Sequence, residues 1–275
     1  MTNDPIRGEP SLFDPGPLNP GLLAASLFDA LHEDENAVVR ALRAGASADS
    51  SDAEGTTALY LAAVQDRPAA VRLLLVAGAD PDRPSGPESG DLPLCGAACG
   101  GHTEVVEALL SAGARPDLPE QFGFTALRWA VGLGHAPTVE LLLEWGADPL
   151  LPGPEGEAPL VPAARRGSVR TVRALLEHGA TSGAGARDGV AALAEARRLA
   201  ALDPERELLR RLEEAYGPGL DTVVRRGRAH GEETVAVELL RDGVPAAGMD
   251  QHTGHGEIVA LLEGTVGREG GTEHG

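Results

Sequence analysis

The segment GHTEVVEALLSAGARPD (101–117) returns as GHAPTVELLLEWGADPL (134–150), and the shared frame, GH-x-x-x-V-x-x-LL-x-x-GA, decides the fold. Outward from it the same ending recurs, as RLLLVAGADPD (72–82) and RALRAGASAD (40–49) upstream and RALLEHGATSG (173–183) downstream. Gly45, Gly78, Gly113, Gly146 and Gly179 follow at steps of 33, 35, 33 and 33 residues. A second anchor, Leu59, Leu94, Leu127, Leu160 and Leu193, keeps steps of 35, 33, 33 and 33. Two anchors in one register define a repeat whose period belongs to stacked supersecondary units.

One unit shows the physics. In GTTALYLAAV (55–64), Thr57 is placed to accept a hydrogen bond from an orphan N–H of a first helical turn. Leu59, Ala62 and Ala63 then make a short apolar stripe, and the small alanines admit a second helix at close range. That helix carries Val71, Leu74 and Leu75 at helical spacing; Gly78 fits the left-handed position just past its end, and Pro81 prevents continuation. Turn-formers after Asp80 make a loop to the next unit. A helix pair this small cannot cover its own apolar face, so the units must stack.

GTTALYLAA (55–63), DLPLCGAACGGH (91–102), GFTALRWAVGLGH (123–135) and GEAPLVPAARRGS (156–168) resemble the ankyrin-repeat family. The resemblance implies an all-α helical solenoid with four repeats over 52–184, a divergent amino-terminal capping repeat over 19–51 and a divergent fifth repeat over 185–216. Residues 217–264 are expected as degenerate carboxy-terminal repeats forming a cap, since AHGEETVAVELLRDG (229–243) and GHGEIVALLEG (254–264) look like second helices. Residues 1–18 and 265–275 have no periodic apolar residues and are expected to be disordered. The family's turn histidine is replaced by Tyr60, Cys95, Arg128 and Val161, and its capping threonine by Leu92 and Ala158. Pro162 falls where a helical hydrogen bond should begin, so that helix is expected to start late.

The 275 residues are 42% hydrophobic and 3% aromatic, enough to bury a core. Acidic side chains outnumber basic ones 42 to 23, giving a formal net charge of −19, which argues against general nucleic-acid or anionic-membrane binding. The start, MTNDPIRGEP, does not read as a signal peptide, and no apolar run approaches a membrane span. With two cysteines there is no disulfide framework, and a reducing, cytoplasmic setting is expected. The chain has no lysine and few isoleucines and asparagines, a bias expected of a GC-rich bacterial genome.

Candidate chemistry is sparse. Cys95 and Cys99 lack a second ligand pair and read as small packing residues. His230, His252, His255 and Glu257 invite a metal site in a small catalytic segment over 217–275, but the H-E-x-x-H pattern is missing, and Gly254-His255 matches the ordinary turn before a second helix. No cofactor is expected, and catalysis is the minority reading.

In the family, partners meet the loop tips and the exposed edge of the first helices. By position, the first tips offer Glu54, Thr56 and Asp91, and the later ones Gln121, Phe122, Phe124 and Glu157. The helix edges add Gln65 and Leu133, then Arg165, Arg166 and Arg198. Phe122, Phe124, Trp129 and Trp145 fall within one unit, and aromatic anchors dominate interface energetics. Charge is segregated: residues 1–149 are net −14 and residues 150–230 net +2. The expectation is a monomeric, non-catalytic scaffold binding one or a few protein partners, with Phe122 and Phe124 as a hot spot beside a basic edge. An inhibitor or immunity-type protein masking a basic enzyme surface and a self-associating structural element are the other readings.

Overall fold

The computed structural model describes residues 19–86, 90–182 and 185–269, the last four by backbone alone. Residues 1–18 and 270–275, part of the termini expected to be disordered, lie outside the described residues. An amino-terminal helix pair, α1 (Pro20–His32) and α2 (Glu35–Arg43), begins the stack. Four pairs follow: α3 (Ala58–Val64) with α4 (Pro68–Val76), α5 (Pro93–Gly100) with α6 (Thr103–Ser111), α7 (Ala126–Leu133) with α8 (Ala136–Glu144), and α9 (Leu160–Arg166) with α10 (Val169–Glu177). The first helices of the pairs pack on one another as an inner row, and the second helices form an outer row.

Local chemistry sets each helix. Thr57 Oγ1 accepts from the Tyr60 N–H at 3.2 Å and Thr125 Oγ1 from the Arg128 N–H at 3.2 Å; at Leu92 and Pro159 no side chain caps the helix. Helix α9 begins at Leu160, one residue later than its counterparts, because Pro162 has no N–H to donate back. Ala62, Ala63, Ala97, Ala98, Ala130, Ala163 and Ala164 are fully buried, which lets the inner row pack backbone to backbone. In the outer row Leu74, Leu109, Leu142 and Leu175 are fully buried at the same place in successive repeats. Each would cost about 2–5 kcal/mol if cut to alanine.

The loops close in one way throughout. Gly78 has φ +96°, its N–H reaches the Leu75 carbonyl at 3.0 Å, and the Ala79 N–H reaches Leu74 at 3.0 Å. This satisfies the last carbonyls of α4. Beyond it, carboxylates stitch the repeats: Asp49 Oδ1 accepts from the Asp80 N–H at 3.0 Å, Asp82 from Arg115 at 3.1 Å, and Asp117 from Asp148 at 2.9 Å.

The carboxy-terminal third corrects the all-α expectation. After α11 (Ala186–Ala200) and α12 (Pro204–Tyr216) come three strands, β1 (Asp221–Ala229), β2 (Glu232–Arg241) and β3 (Val244–His252), forming an antiparallel sheet in the order β1-β2-β3. Val237 faces Val224 on one side and Met249 on the other. The turns between strands are two residues each, His230-Gly231 and Asp242-Gly243, all at positive φ as tight hairpins of the right twist require. Val235, Val237 and Leu239 alternate onto the face that buries Leu208 and Leu212 of α12, a second small core. Residues 217–264 are therefore not degenerate helical repeats, apart from the start of α13 (His255–Glu269). This last helix also carries order through residue 269, into the stretch expected as a tail.

Helix α13 packs on α11 and on α10, so it occupies the outer position of the fifth repeat, with α11 as its inner partner. The fifth repeat is thus split: α12 and the sheet are inserted between its two helices.

Candidate protein-binding face

Inner helices and loop tips share one face. A cavity of about 450 Å³ opens there between α3, α5 and α7. Tyr60 and Val64 come from α3, Gly96 and Cys99 from α5, and Trp129 from α7; Asp91, Glu120 and Phe122 close it from the tips. A Cβ on Gly96 would lie 2.7 Å from Val64 Cγ1 and 3.0 Å from Tyr60 Cε2, so the glycine is what lets the Tyr60 ring lie against α5.

The aromatic residues divide their work. Trp129 Nε1 donates to Glu120 Oε1 at 2.9 Å, and the Phe124 ring stacks on Trp129 with centroids 4.9 Å apart. The Arg128 guanidinium lies 5.7 Å from the centre of Phe124. Phe124 is thereby half-buried, whereas Phe122 remains 65% exposed at the cavity mouth. Trp145, at the end of α8, belongs to the outer row and not to this cluster.

Electrostatics follow from partial burial. Burial raises the Glu120 carboxyl above the usual carboxylate range; the Trp129 hydrogen bond works against that and the Asp91 charge adds to it. Burial, then the adjacent Asp91 carboxylate, pushes the Tyr60 phenol up to about 12. Burial also raises the thiols of Cys95 and Cys99. Cys95 Sγ points at the Phe124 carbonyl, 3.8 Å away, as a packing residue would.

The other expected contact residues spread along the face. Glu54 and Thr56 sit on the first tip, where Asp52 Oδ1 accepts both backbone N–H groups at 3.1 and 2.7 Å. Gln65 is exposed at the end of α3, Gln121 is exposed beside Phe122, and Leu133 is 40% exposed at the end of α7. The arginines are differently placed. Arg165 donates to Glu157 at 3.0 and 2.8 Å and to Glu195 at 3.1 Å, and Arg198 donates to Glu195 at 3.0 Å. Arg166 is 16% exposed and holds the carboxylate and carbonyl of Asp250 in β3. The expected basic edge is thus neutralised within the chain, and the inserted sheet packs against the face at α9.

Nor do the four candidate metal ligands converge. His255 Nε2 lies 3.3 Å from the Arg165 carbonyl, Glu257 pairs with Arg173 at 3.3 Å, and His230 forms a hairpin turn. His252 is buried, with Nε2 3.8 Å from Glu232 and neither ring nitrogen hydrogen-bonded. Among the described residues no group of three or more His, Cys, Asp or Glu could hold a metal ion. No helix of the described residues is long and apolar enough to cross a membrane.

Tyr60, Gly96, Glu120 and Trp129 shape the cavity but are not among the contact residues expected from sequence. Their readable signal is Gly96 inside a helix, a position that costs roughly 1 kcal/mol in helix propensity unless close packing requires it.

Stacked helix pairs with this loop closure define a helical-repeat scaffold. The family model for ankyrin repeats in three copies matches residues 78–152, and that for a single ankyrin repeat matches 54–85. Residues 54–152 are ankyrin repeats. A curated relative, the glycerophosphocholine phosphodiesterase gde1 of Schizosaccharomyces pombe (strain 972 / ATCC 24843), is 33% identical over 117 residues, 42% of this chain and 10% of that protein. The chain thus matches about a tenth of the length of this relative.

Proposed function

We propose that the chain is a non-catalytic scaffold that holds one or a few protein partners against its inner helices and loop tips. Ankyrin repeats generally mediate protein–protein interactions, and the observation that carries the reading here is Phe122. It stands 65% exposed at the mouth of a preformed cavity, where a partner's side chain would bury it. Fully burying such a side chain is worth about 1.5–3 kcal/mol. The net charge of −14 over residues 1–149 favours a partner with a basic surface and speeds its encounter.

Several of the groups with perturbed ionisation have structural work, which supports a non-catalytic role. His135 and His255 bond backbone carbonyls of the preceding repeat, while Glu157, Glu195 and Glu207 bind arginines. The relative's phosphodiesterase activity is not extended to this chain, which matches a tenth of that enzyme. A cytoplasmic setting and a monomeric solenoid belong to the same proposal.

The test is affinity capture from the source cells with the tagged full chain, alongside Phe122→Asp, followed by mass spectrometry. A near-stoichiometric protein retained by the first and lost by the second, with unchanged thermal unfolding, is the expected result. Failure of both to retain any protein would overturn the reading.

A further inference from the structure

The geometry points to the cavity beneath Phe122 as a receptor for one cationic side chain, an arginine or lysine, presented by an extended basic segment of the protein partner. This rests on the scaffold reading above and names the chemistry of its partner.

Three observations carry it. The first is the wall. Tyr60, Phe122 and Trp129 line a cavity of about 450 Å³, and aromatic faces attract cations through their negative quadrupole. The long aliphatic stem of an arginine or lysine would also lie along Val64, which lines the same cavity.

The second is unbalanced charge. Asp91 and Glu120 both line the cavity, and the Asp91 charge adds to the burial that raises the Glu120 carboxyl. Glu157, Glu195, Glu207 and Asp250 each have an arginine partner. Asp91 and Glu120 have none among the described residues, and no cation stands among the influences on Glu120. Glu120 is nevertheless held in place through Oε1 by Trp129, which leaves Oε2 to accept from a ligand. A partly buried carboxylate pair without a counter-ion is poorly matched to an apolar or acidic ligand and well matched to a guanidinium or ammonium group.

The third is the field. The cavity lies in the half of the chain with net charge −14, which raises the local concentration of basic segments. At the other end of the same face, Arg165 and Arg166 are already paired and offer an acidic ligand no free cation.

A library of random dodecapeptides selected on the full chain tests this. Enriched sequences should share an arginine or lysine at a fixed position, and replacing it with glutamine should weaken the synthetic peptide at least tenfold. The Asp91→Asn/Glu120→Gln variant should weaken the parent peptide comparably and the glutamine peptide little further, because both changes remove one interaction. Glu120→Gln retains an acceptor for Trp129, so the fold is kept. Glu107→Gln/Glu144→Gln removes the same charge from the outer row and should leave affinity within twofold. Enriched peptides without a shared basic residue, equal loss in the outer-row variant, or no enriched peptide at all would overturn the inference. A captured partner that binds the Asp91→Asn/Glu120→Gln variant undiminished would likewise remove the cation receptor while leaving the scaffold reading intact.

Discussion

His255 Nε2 lies 3.3 Å from the carbonyl oxygen of Arg165, the contact that His135 makes with Cys99 at 3.0 Å and His102 with Val64 at 3.3 Å. In each case the histidine opening an outer helix binds the inner helix of the preceding repeat. For His102 and His135 the partner is 38 and 36 residues away, but for His255 it is 90. The extra chain is α12 and the sheet, so Gly254-His255 resumes the repeat that α11 began.

Excision follows from that register. Deleting residues 200–253 would join Leu199 to Gly254-His255, the order found in Leu133-Gly134-His135. The shortened chain is expected to unfold cooperatively with its helical signal retained, and to be less stable by roughly 1–3 kcal/mol through loss of the Arg166–Asp250 pair and its neighbours. Circular dichroism with urea titration checks it; a molten or aggregated product would contradict the register.

Glu232 anchors the insert. Its Oε1 accepts the Arg170 N–H at 2.9 Å and its Oε2 lies 2.6 Å from the Ser168 hydroxyl, so a hairpin residue helps to cap α10. Glu232→Ala should cost about 1–3 kcal/mol in urea unfolding. Amide exchange at Arg170 should rise more than at residues of α8.

At Gly96 two effects compete. Alanine would gain up to about 1 kcal/mol of helix propensity. Its Cβ, however, would meet Val64 at 2.7 Å and Tyr60 at 3.0 Å, and such overpacking costs about 1–3 kcal/mol. Gly96→Ala is expected to change stability by no more than about 2 kcal/mol while displacing the Tyr60 ring and weakening partner binding. Ring proton shifts of Tyr60 and a binding titration separate the two outcomes.

Acid should loosen the carboxy-terminal half. Burial lowers the imidazole pKa of His252 and His255, as it does for His135. The unfolded chain therefore holds more protons than the folded one once pH falls below about 6.5, and stability declines from there through the folded values. Urea midpoints should drop between pH 7.5 and 5.5. The decline should be shallower in His252→Leu, which removes a titrating ring whose nitrogens are unpartnered.

The solenoid was legible because glycine and leucine anchors each report a backbone requirement, a left-handed helix end and a buried contact, that survives sequence drift. GHGEIVALLEG (254–264) was legible as an outer helix for the same reason, but its inner partner α11 lies too far back for spacing to reveal. The sheet is not legible from periodicity, because TVAVELL (234–240) supports either a helical or an alternating pattern. The deciding signals were the turn pairs His230-Gly231 and Asp242-Gly243. Phe122 was legible as a tip residue. The cavity behind it was not, since Glu120 reaches Trp129 only once the loop has folded over the inner helix.

On the proposed function, a protein partner binds the inner face at Phe122. Isothermal titration of the captured partner against the intact chain and Phe122→Ala tests it most directly. The expected result is at least a 30-fold loss of affinity, about 2 kcal/mol as for a hot-spot aromatic, with unchanged unfolding. Equal affinity for the two proteins would contradict it.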